Sequence, residues 1–426
     1  MQKIPEILLK KAEELREKTK RRFPKLAPLV KQCFLNTIET TVTQLDDGSF
    51  FVITGDIPAM WLRDSAAQVK PYIKYAAEDE SLREILRSII EKHAFYVTLD
   101  PYSNAFNAAN SGVIFGYKDH TDFENGYIWE RKYEVDSLCA SLYLAHDYYM
   151  ATKDRAIFTD SLHEMIRVVI KTFTEQQDHA KTSYFFSRED CPESDTLSND
   201  GRGAPVNPET GMTWSGFRPS DDACQYGYLI PSNMMAVVAL SYAAELADVG
   251  WQDMELASRC HALAAQINAG IEKYGIVEHP KYGRIYAYET DGFGNYNLMD
   301  DANSPSLLSL PYLGYCEADD EIYQNTRRFI LSRDNPYYYE GTAAKGVGSP
   351  HTPENYIWHI SLAMQALTST DEEEIRCCMD TIANTHAGTN FMHEGFDVND
   401  PSKFTREWFA WANTLFAQTV ETLVNR

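Results

Sequence analysis

The stretch TGDIPAMWLRDSAAQ, residues 54–68, gathers Asp56, Trp61, Arg63 and Asp64 within nine residues. Carboxylates and a guanidinium can hydrogen-bond sugar hydroxyls, and an indole can stack on the apolar face of a sugar ring. Each residue also has a structural alternative. Asp56 can cap a turn, Trp61 can fill a core, and Arg63 can pair with Asp64. The rest of the sequence has to decide between these two interpretations.

Five further polar clusters recur along the chain, and two of them contain adjacent aspartates. Adjacent like charges cost free energy unless binding or catalysis uses them. Helix capping accounts for Ser232 and Ser304, but it explains the doubled aspartates less well. The clusters are 129–132; Arg218, Asp221 and Asp222; Asp300, Asp301 and Asn303; 345–356, which contains His351; and Asn390, His393 and Glu394.

Acidic pairs accompanied by aromatic residues favour glycoside hydrolysis. That reaction needs one protonated carboxyl group that donates to the leaving oxygen and one carboxylate that activates water or attacks directly. Inverting enzymes separate the two by roughly 6.5–9.5 Å to admit the water. Aromatic residues make up 12% of the chain, and no cysteine or histidine spacing typical of a zinc site is present. We therefore expect neither a metal nor a cofactor.

The elements that must position these clusters are helices of two kinds. One kind has a single apolar stripe and therefore one buried face, and the other is apolar on nearly all sides and must be buried all round. Helices of the first kind are predicted over 3–20, 81–97, 154–176, 252–271, 319–331 and 371–386. Helices of the second kind are predicted over 133–150, 233–246, 304–315, 356–367, 404–420 and directly after Arg63.

The two kinds alternate about six times without a linker, which predicts an all-α fold. We expect an (α/α)6 barrel of six inner and six outer helices, forming one catalytic domain over residues 1–426, with short β-hairpins in loops at 49–55, 184–188 and 283–290. Two separate helical bundles are the alternative. Each polar cluster directly precedes or opens an inner helix. A barrel would therefore bring all of the clusters to one face.

Composition narrows the range of partners. The net charge of −23 without a basic stripe argues against nucleic acid and anionic membranes, and favours a neutral substrate. The N-terminal stretch predicts an amphipathic helix and not a signal peptide, and no transmembrane span is expected. The eight scattered cysteines are typical of packing residues in a reduced protein. We expect a cytoplasmic protein that is a monomer or a weak oligomer.

Five long motifs of mixed composition span the chain. They are TGDIPAMWLRDSAAQVKPY, WERKYEVDSL, TWSGFRPSDDAC, LMDDANSPSLLSLPYLG and THAGTNFMHEGFDVNDPSKFTREWFAWANTLF. Together they resemble glycoside hydrolase family 125 over essentially the whole chain. The resemblance implies an (α/α)6 exo-acting α-1,6-mannosidase that releases terminal mannose, inverts the anomeric centre and requires no metal.

By this resemblance, Asp221 is the general acid and Glu394 is the general base. Asp222 is the second choice for the acid and is otherwise a hydrogen-bond acceptor or cap. The acid needs a raised pKa, which burial or the adjacent Asp222 would supply. Arg63 and Asp64 are expected to hydrogen-bond the terminal mannose.

For the remaining site residues, the sequence predicts a place near the site but leaves the role more open. Asp56 either binds the same sugar or orders its loop, and Trp61 either faces the sugar or belongs to the core. His359, on a buried helix, is expected to be a core histidine. Further wall residues are expected at Asp301, Asn303, His351, Asn390 and His393, and Arg406 and Trp408 are expected to reach the site from beneath.

Three other hypotheses remain open at this point. The first is another (α/α)6 sugar enzyme, either a glucoamylase-like hydrolase or a phosphorylase, although a phosphorylase would need a basic anion site where Glu394 stands. The second is a calcium-dependent mannosidase with Asp300 and Asp301 as ligands. The third is a non-catalytic sugar-binding protein. The preference for mannose and for the 1,6 linkage comes from the resemblance alone.

Overall fold

The computed structural model describes residues 3–114, 116 and 118–426, and helices dominate that part of the chain. The helices are α1 (Glu6–Arg22), α2 (Ala27–Asn36), α3 (Leu62–Ile73), α4 (Glu80–Leu99), α5 (Val135–Thr152), α6 (Asp160–Glu175), α7 (Ser198–Gly201), α8 (Ile230–Trp251), α9 (Met254–Tyr274), α10 (Leu310–Leu313), α11 (Glu321–Ile330), α12 (His359–Leu367), α13 (Glu372–Thr385) and α14 (Ala410–Asn425). Single 3-10 turns lie at Pro24–Leu26, Ala76–Glu78, Arg155–Ile157, Gln176–Lys181, Glu193–Asp195 and Pro208–Thr210, and a π-helical turn lies at Thr37–Thr41.

Short antiparallel strands occupy the loops between the helices, in sheets of two or three strands. The strands are β1 (Val42–Gln44), β2 (Phe50–Val52), β3 (Met60–Trp61), β4 (Ala105–Phe106), β5 (Asp119–Thr121), β6 (Ile128–Glu130), β7 (Phe186–Arg188), β8 (Tyr228–Leu229), β9 (Ile276–His279), β10 (Gly283–Tyr286), β11 (Glu289–Thr290), β12 (Tyr296–Asn297), β13 (Tyr338–Glu340), β14 (Lys345–Val347), β15 (Tyr356–Trp358) and β16 (Gly395–Asp397). The hairpins predicted near 49–55, 184–188 and 283–290 fall on β2, β7, β10 and β11.

The helices form the predicted (α/α)6 barrel. The inner ring runs through α3, α5, α8, α10, α12 and α14, and α14 packs back against α3. Outside it, α9 covers α8, α13 covers α12, α4 packs on α6, and α2 packs on α14 with α1 against it. One apolar core extends through the barrel from Leu8 to Leu423.

The inner and outer helices begin in different ways. Five outer helices, α4, α6, α9, α11 and α13, start at an Asp or Thr whose side chain accepts a hydrogen bond from a backbone N–H of the first turn. Among the described residues, none of the six inner helices has such a side-chain cap. The first N–H groups of α3, α8 and α14 instead donate to the loop carbonyls of Asn104, Tyr288 and Thr54, and that of α5 donates to Ser215 Oγ.

The structure corrects several boundaries and one element. The segment predicted as a helix over 304–315 is helical only at α10, because Pro311 stands in the first turn of that helix and Gly314 ends it at φ +83°. The last helix begins at Ala410 rather than at residue 404, and α2 was not predicted. Ser232 lies inside the first turn of α8 and Ser304 lies before α10, so the capping role expected for both is wrong.

Among the described residues, α8 alone is long and apolar enough to cross a membrane by length and composition. More than half of its most apolar window is buried within the barrel, as an inner-ring helix requires. Its apolar circumference is explained by packing against α5 and α9.

Candidate active site

A cavity of about 360 Å³ opens on the face where the inner helices begin. Residues from all over the chain border it, as the convergence of the polar clusters predicted. They are Thr54, Ile57, Trp61, Arg63, Asp64, Glu130, Lys132, Arg188, Pro192, Ser194, Asp195, Pro219, Ser220, Asp221, Asp222, Asn303, His351, Trp358, Glu394, Arg406 and Phe409.

The first wall of the cavity is fixed by a three-stranded sheet of β3, β4 and β6. Trp61 ends β3, so Arg63 and Asp64 fall in the first turn of α3, where each is only 4% exposed. Trp61 borders the cavity and also packs in a small apolar cluster with Ile57 and Trp129. Trp61 therefore lines the cavity and also belongs to a local apolar cluster.

Arg63 is the charge centre of the cavity floor. Its Nη1 donates to Glu134 Oε2 and, at 2.9 Å, to Asp136 Oδ2. Its Nη2 lies 3.8 Å from carboxylate oxygens of both Asp64 and Asp221. The pairing of Arg63 with Asp64 suggested by their adjacency is thus secondary, because the closer partners are two buried carboxylates at the start of α5.

Asp64 is a carboxyl group with a shifted proton affinity. Burial raises the pKa of Asp64 to about 6, although Arg63 and Arg406 oppose that shift. A carboxyl with a pKa near neutrality can both accept and donate hydrogen bonds, which suits a group that faces sugar hydroxyls.

Asp221 stands on a constrained loop. Its backbone has φ +69°, a left-handed conformation that costs free energy for a residue other than glycine. Two hydrogen bonds hold this conformation. The Asp221 N–H donates to the Arg218 carbonyl at 2.9 Å, and the Asp221 carbonyl accepts from Lys132 Nζ at 2.8 Å. The Asp221 side chain is 28% exposed and borders the cavity, so this strained backbone conformation places its carboxylate at the cavity surface.

The proton affinity of Asp221 differs from the sequence-based expectation. Burial acts to raise it, but Lys132, Arg63, Glu134 and His351 outweigh burial and lower the pKa of Asp221 to about 2. Burial instead raises the pKa of Glu134, which shares Asn104 and Arg63 with Asp221, well above the usual range. The expected rise in the pKa of Asp221 is thus wrong, because its neighbour Glu134 lowers that pKa instead of raising it.

Asp222 points to a different partner. It is 3% exposed, and His351 Nδ1 donates to its Oδ1 at 3.2 Å. Burial disfavours the imidazolium, but Asp222, Glu394 and Asp221 outweigh that effect and raise the pKa of His351 to about 9. At neutral pH, His351 is a cation between the loops that carry Asp222 and Glu394.

Glu394 borders the cavity directly before β16, which pairs with β15 at the start of α12. Arg406 Nη1 lies 3.7 Å from Glu394 Oε1, and its Nε donates to Asp56 Oδ1 at 3.0 Å. Asp56 itself does not border the cavity, so it orders the loop and orients Arg406. Arg406 reaches the site as predicted, whereas the Trp408 carbonyl accepts from the Asp56 N–H at 3.2 Å.

The aspartates before α10 serve the protein framework. Asp300 accepts from the Leu307 and Leu308 N–H groups at 2.8 and 3.0 Å, and burial raises the pKa of Asp300 to about 8. Asp301 lies behind the wall, where it accepts from Ser220 Oγ at 2.8 Å. Asn303 does border the cavity, and its Nδ2 donates to the Pro219 carbonyl at 2.7 Å.

Besides Asp301, two other predicted wall residues do not border the cavity. His393 is fully buried and stacks on Phe404 with ring centroids 3.8 Å apart, and the Asn390 carbonyl accepts from Gln32. Neither residue borders the cavity. Of the cluster Asn390, His393 and Glu394, only Glu394, which directly precedes β16, reaches the opening. His359 is a core histidine as predicted, since its Nδ1 accepts from the His393 N–H at 3.1 Å.

The sequence analysis includes Glu130 and Lys132 in the cluster at 129–132, but it misses Glu134, Asp136 and Asn104. Glu130, Lys132, Glu134 and Asp136 are all buried, and all of them contact the site. Glu130, Lys132 and Glu134 alternate along an extended segment before α5, so they share one face, while Arg131 on the other face pairs with Asp100 at 2.8 Å. This alternation of charged residues was the sequence signal that could have identified Glu134 as part of the site. Asn104, which donates to Glu130 at 2.9 Å and to Asp221 at 3.2 Å, had none.

Comparisons with known proteins agree with this geometry. Residues 24–421 match the family described as metal-independent alpha-mannosidases, glycoside hydrolase family 125. The meiotically up-regulated gene 157 protein of Schizosaccharomyces pombe is 41% identical, over 94% of this chain and 82% of that protein.

Solved structures extend the comparison. A Streptococcus pneumoniae metal-independent α-mannosidase, linked to the processing of N-linked glycans and solved in a non-productive complex with α-1,6-mannobiose, superimposes with a TM-score of 0.95 at 44% identity, covering 99% of this chain and 98% of that one. The Saccharomycopsis fibuligera glucoamylase shares the fold alone, with a TM-score of 0.58 at 11% identity over 88% and 89% of the two chains. This chain belongs to glycoside hydrolase family 125, the metal-independent α-mannosidases.

Proposed function

We propose that the protein is an inverting, exo-acting α-1,6-mannosidase that releases terminal mannose from α-1,6-linked mannosides such as N-glycan fragments. Asp221 protonates the glycosidic oxygen as the C1–O bond breaks. Glu394 removes a proton from a water molecule, whose oxygen forms the new bond to C1 from the opposite face. The products are β-mannose and the leaving-group sugar with a free 6-hydroxyl, after which Glu394 returns its proton to solvent and Asp221 takes one up.

One observation carries this proposal: Asp221 and Glu394 border the same cavity but are held by separate partners. Asp221 is held by Asn104 and Lys132, and Glu394 by Arg406. Two carboxylates on different walls of one cavity leave room for a sugar and a water between them, which an inverting mechanism requires. The α-1,6-mannobiose bound by the Streptococcus pneumoniae relative supports the substrate class.

Exo action is supported by the closed floor of the cavity. Arg63 lies between it and a separate cavity of about 60 Å³ deeper in the barrel, which Lys70 and Trp411 also border. A sugar chain cannot pass a buried guanidinium that is bound to two carboxylates. Only a chain end therefore reaches Asp221 and Glu394.

Recognition of the terminal sugar falls to the remaining wall residues. We propose that Asp64 and Arg63 bind its hydroxyl groups, that Trp61 packs against its ring, and that Asn303 and His351 contact it from the other side. Asp222 acts on the sugar through the charged His351. Asp56, paired with Arg406, holds the loop and does not touch the sugar.

The stereochemistry of the first product tests the mechanism. Proton NMR follows the hydrolysis of α-1,6-mannobiose from the first minutes, before mutarotation mixes the anomers. We expect β-mannose to appear first, with Glu394→Gln losing turnover by about 10²-fold or more. If α-mannose appears first, Glu394 is not a base that acts through water. If no mannose is released, the linkage is wrong.

We further propose that the protein works in the cytoplasm as a monomer or weak oligomer, on oligosaccharides and not on nucleic acid or membranes. Its eight cysteines are free thiols, and Cys377 is exposed, which suits a reducing compartment. The net charge of −23 disfavours polyanionic partners. Cell fractionation and light scattering of the purified protein test the two statements.

A further inference from the structure

A second cavity, of about 440 Å³, lies beside the catalytic one. Residues of the segment 119–131 form most of its border, and Glu130 borders both cavities. Trp129 also links them, because it borders the second cavity and packs with Ile57 and Trp61, which border the first. The two cavities are therefore neighbours that share a polar and an apolar boundary.

The second cavity adjoins the side of the site that holds the proposed acid. Glu130 accepts a hydrogen bond from Asn104 Nδ2 at 2.9 Å, and the same nitrogen donates to Asp221 Oδ1 at 3.2 Å. Glu394 lies on a different wall, next to Arg406. A general acid donates its proton to the leaving oxygen, so the leaving group extends from the acid side of the site. The second cavity is thus in the direction in which the leaving group continues.

Arg188 fixes the wall between the two cavities. Its Nη2 donates to Glu130 Oε1 at 2.8 Å and its Nε donates to Asp119 Oδ1 at 2.7 Å, which joins β6 to β5. Its Nη1 donates to Asp195 Oδ2 at 2.9 Å. Because β5 also pairs with β7, the second cavity is bordered by hydrogen-bonded strands, which hold its groups in place before a ligand arrives.

Phe123 supplies an aromatic ring at this border, and it is 39% exposed. The Arg131 guanidinium lies 5.7 Å from the centroid of that ring. Arg131 is itself held by Asp100 at 2.8 Å and by Thr121 at 2.6 Å, so the cation is fixed and stabilises the ring beside it. An exposed ring that is already ordered loses little conformational entropy when a sugar packs against it.

The polar groups of the second cavity suit a neutral polyol. Asn125 Oδ1 accepts from the Tyr127 N–H at 3.0 Å, and Asn125 Nδ2, which has no partner among the described residues, can donate to a hydroxyl group. Glu124 is exposed and can accept from one. Arg131 is already paired with Asp100, which disfavours an anionic ligand. Aromatic rings beside such donors and acceptors are the combination that binds a pyranose.

We propose that the second cavity is a subsite for the next sugar of the leaving group, so that the protein prefers chains longer than a disaccharide. In α-1,6-mannotriose the terminal mannose occupies the catalytic cavity and the second mannose lies at the boundary formed by Glu130. The third mannose packs against Phe123 and Trp129 and accepts a hydrogen bond from Asn125. This inference rests on the proposed function, from which it takes the acid and the substrate class.

The test is the ratio of kcat/KM for α-1,6-mannotriose to kcat/KM for α-1,6-mannobiose, from initial rates of mannose release. For the wild-type protein we expect a ratio of about 5 or more, because the third sugar adds an aromatic contact. Phe123→Ala should bring the ratio close to 1 through a loss of mannotriose hydrolysis. Phe95→Ala is the matched control, since Phe95 on α4 is 42% exposed and borders neither cavity, and it should leave both kcat/KM values unchanged.

A wild-type ratio near 1 overturns the inference without any variant. A folded Phe123→Ala protein that keeps the wild-type ratio also overturns it. If Phe123→Ala does not fold, Asn125→Ala decides, because loss of its hydrogen bond should lower the ratio about 3-fold, and an unchanged ratio is again a refutation.

Failure of the subsite and failure of the proposed function give different results. If the wild-type protein releases mannose from α-1,6-mannobiose but does not prefer the trisaccharide, the proposed function stands and the subsite alone is refuted. If it releases mannose from neither sugar, the proposed function is wrong and the subsite falls with it.

Discussion

Replacement of Arg63 by methionine tests the most concentrated charge arrangement in the protein. Arg63 is 4% exposed, and it is the cation closest to Glu134 and Asp136, whose side chains are fully buried. Removing one partner of a buried ion pair typically costs about 3–5 kcal/mol, because the other charge is left without compensation. Methionine keeps most of the volume, so the loss should be electrostatic rather than a packing defect.

The expected change in melting temperature follows from chain length. An unfolding entropy of roughly 2.1 cal/mol/K per residue over 426 residues gives about 0.9 kcal/mol/K, so a loss of about 3–5 kcal/mol lowers Tm by about 3–6 °C. Differential scanning calorimetry at pH 7 measures this shift. Arg83→Met is the control, since Arg83 pairs with Glu80 on the surface of α4 and should change Tm little.

The sign of the pH dependence is the sharper part of the prediction. Burial raises the pKa values of Glu134 and Asp136, and Arg63 opposes that rise. Without Arg63 both carboxyls should bind protons more tightly in the folded state. Such groups stabilise the fold below their unfolded pKa and lose that contribution as pH rises through the folded pKa. The Tm deficit of Arg63→Met should therefore be largest near pH 7–8 and shrink toward about pH 5.

Two results would refute this reasoning. A deficit that is equal at pH 5 and pH 8 would mean that Arg63 contributes packing and not charge. A triple variant, Arg63→Met with Glu134→Gln and Asp136→Asn, should recover most of the lost stability because no buried charge remains unpaired. Failure of that recovery would point to another cause.

Two other predictions concern the metal and the loop. Dialysis against a chelator should leave kcat/KM for α-1,6-mannobiose unchanged, because both Asp300 oxygens are bound to backbone N–H groups and the family is metal-independent; a loss restored by Ca²⁺ would contradict this. Gly55→Ala should lower kcat/KM several-fold, because at φ +134° its Cβ would lie 2.4 Å from the Trp408 carbonyl and displace the Asp56–Arg406 pair. Gly48→Ala, also at positive φ but with no atom within 4 Å of its Cβ, is the matched control and should leave activity unchanged.

The sequence was sufficient for the barrel because helix periodicity separates one-sided from all-round burial. The stripe Leu162, Met165 and Val169 of α6 and the apolar circumference of α8 lead to opposite environments, and the structure has both. It failed at 304–315, where Pro311 and Gly314 confine the helix that hydrophobicity predicted to α10.

The site was predictable to the level of the loops but not of the partners. Asp64, Asp221, Asp222, Asn303, His351 and Glu394 were found because each stands in a polar cluster directly before or at the start of an inner helix. Arg63 was expected to meet Asp64 or the sugar, but its nearest partners lie 71 and 73 residues further along the chain. Sequence adjacency carries no information about such contacts. Asn390 and His393 were predicted to line the site only because they are close to Glu394 in sequence, and they do not border the cavity.

The way the inner helices begin explains why this face of the barrel carries the site. The first N–H groups of α3, α8 and α14 donate to the carbonyls of Asn104, Tyr288 and Thr54, and that of α5 donates to Ser215 Oγ. These hydrogen bonds tie the loops of the site to the helix starts without using an acidic side chain as a cap. Arg63 and Asp64 at the start of α3 and Glu134 before α5 therefore remain available to pair with one another across the cavity floor.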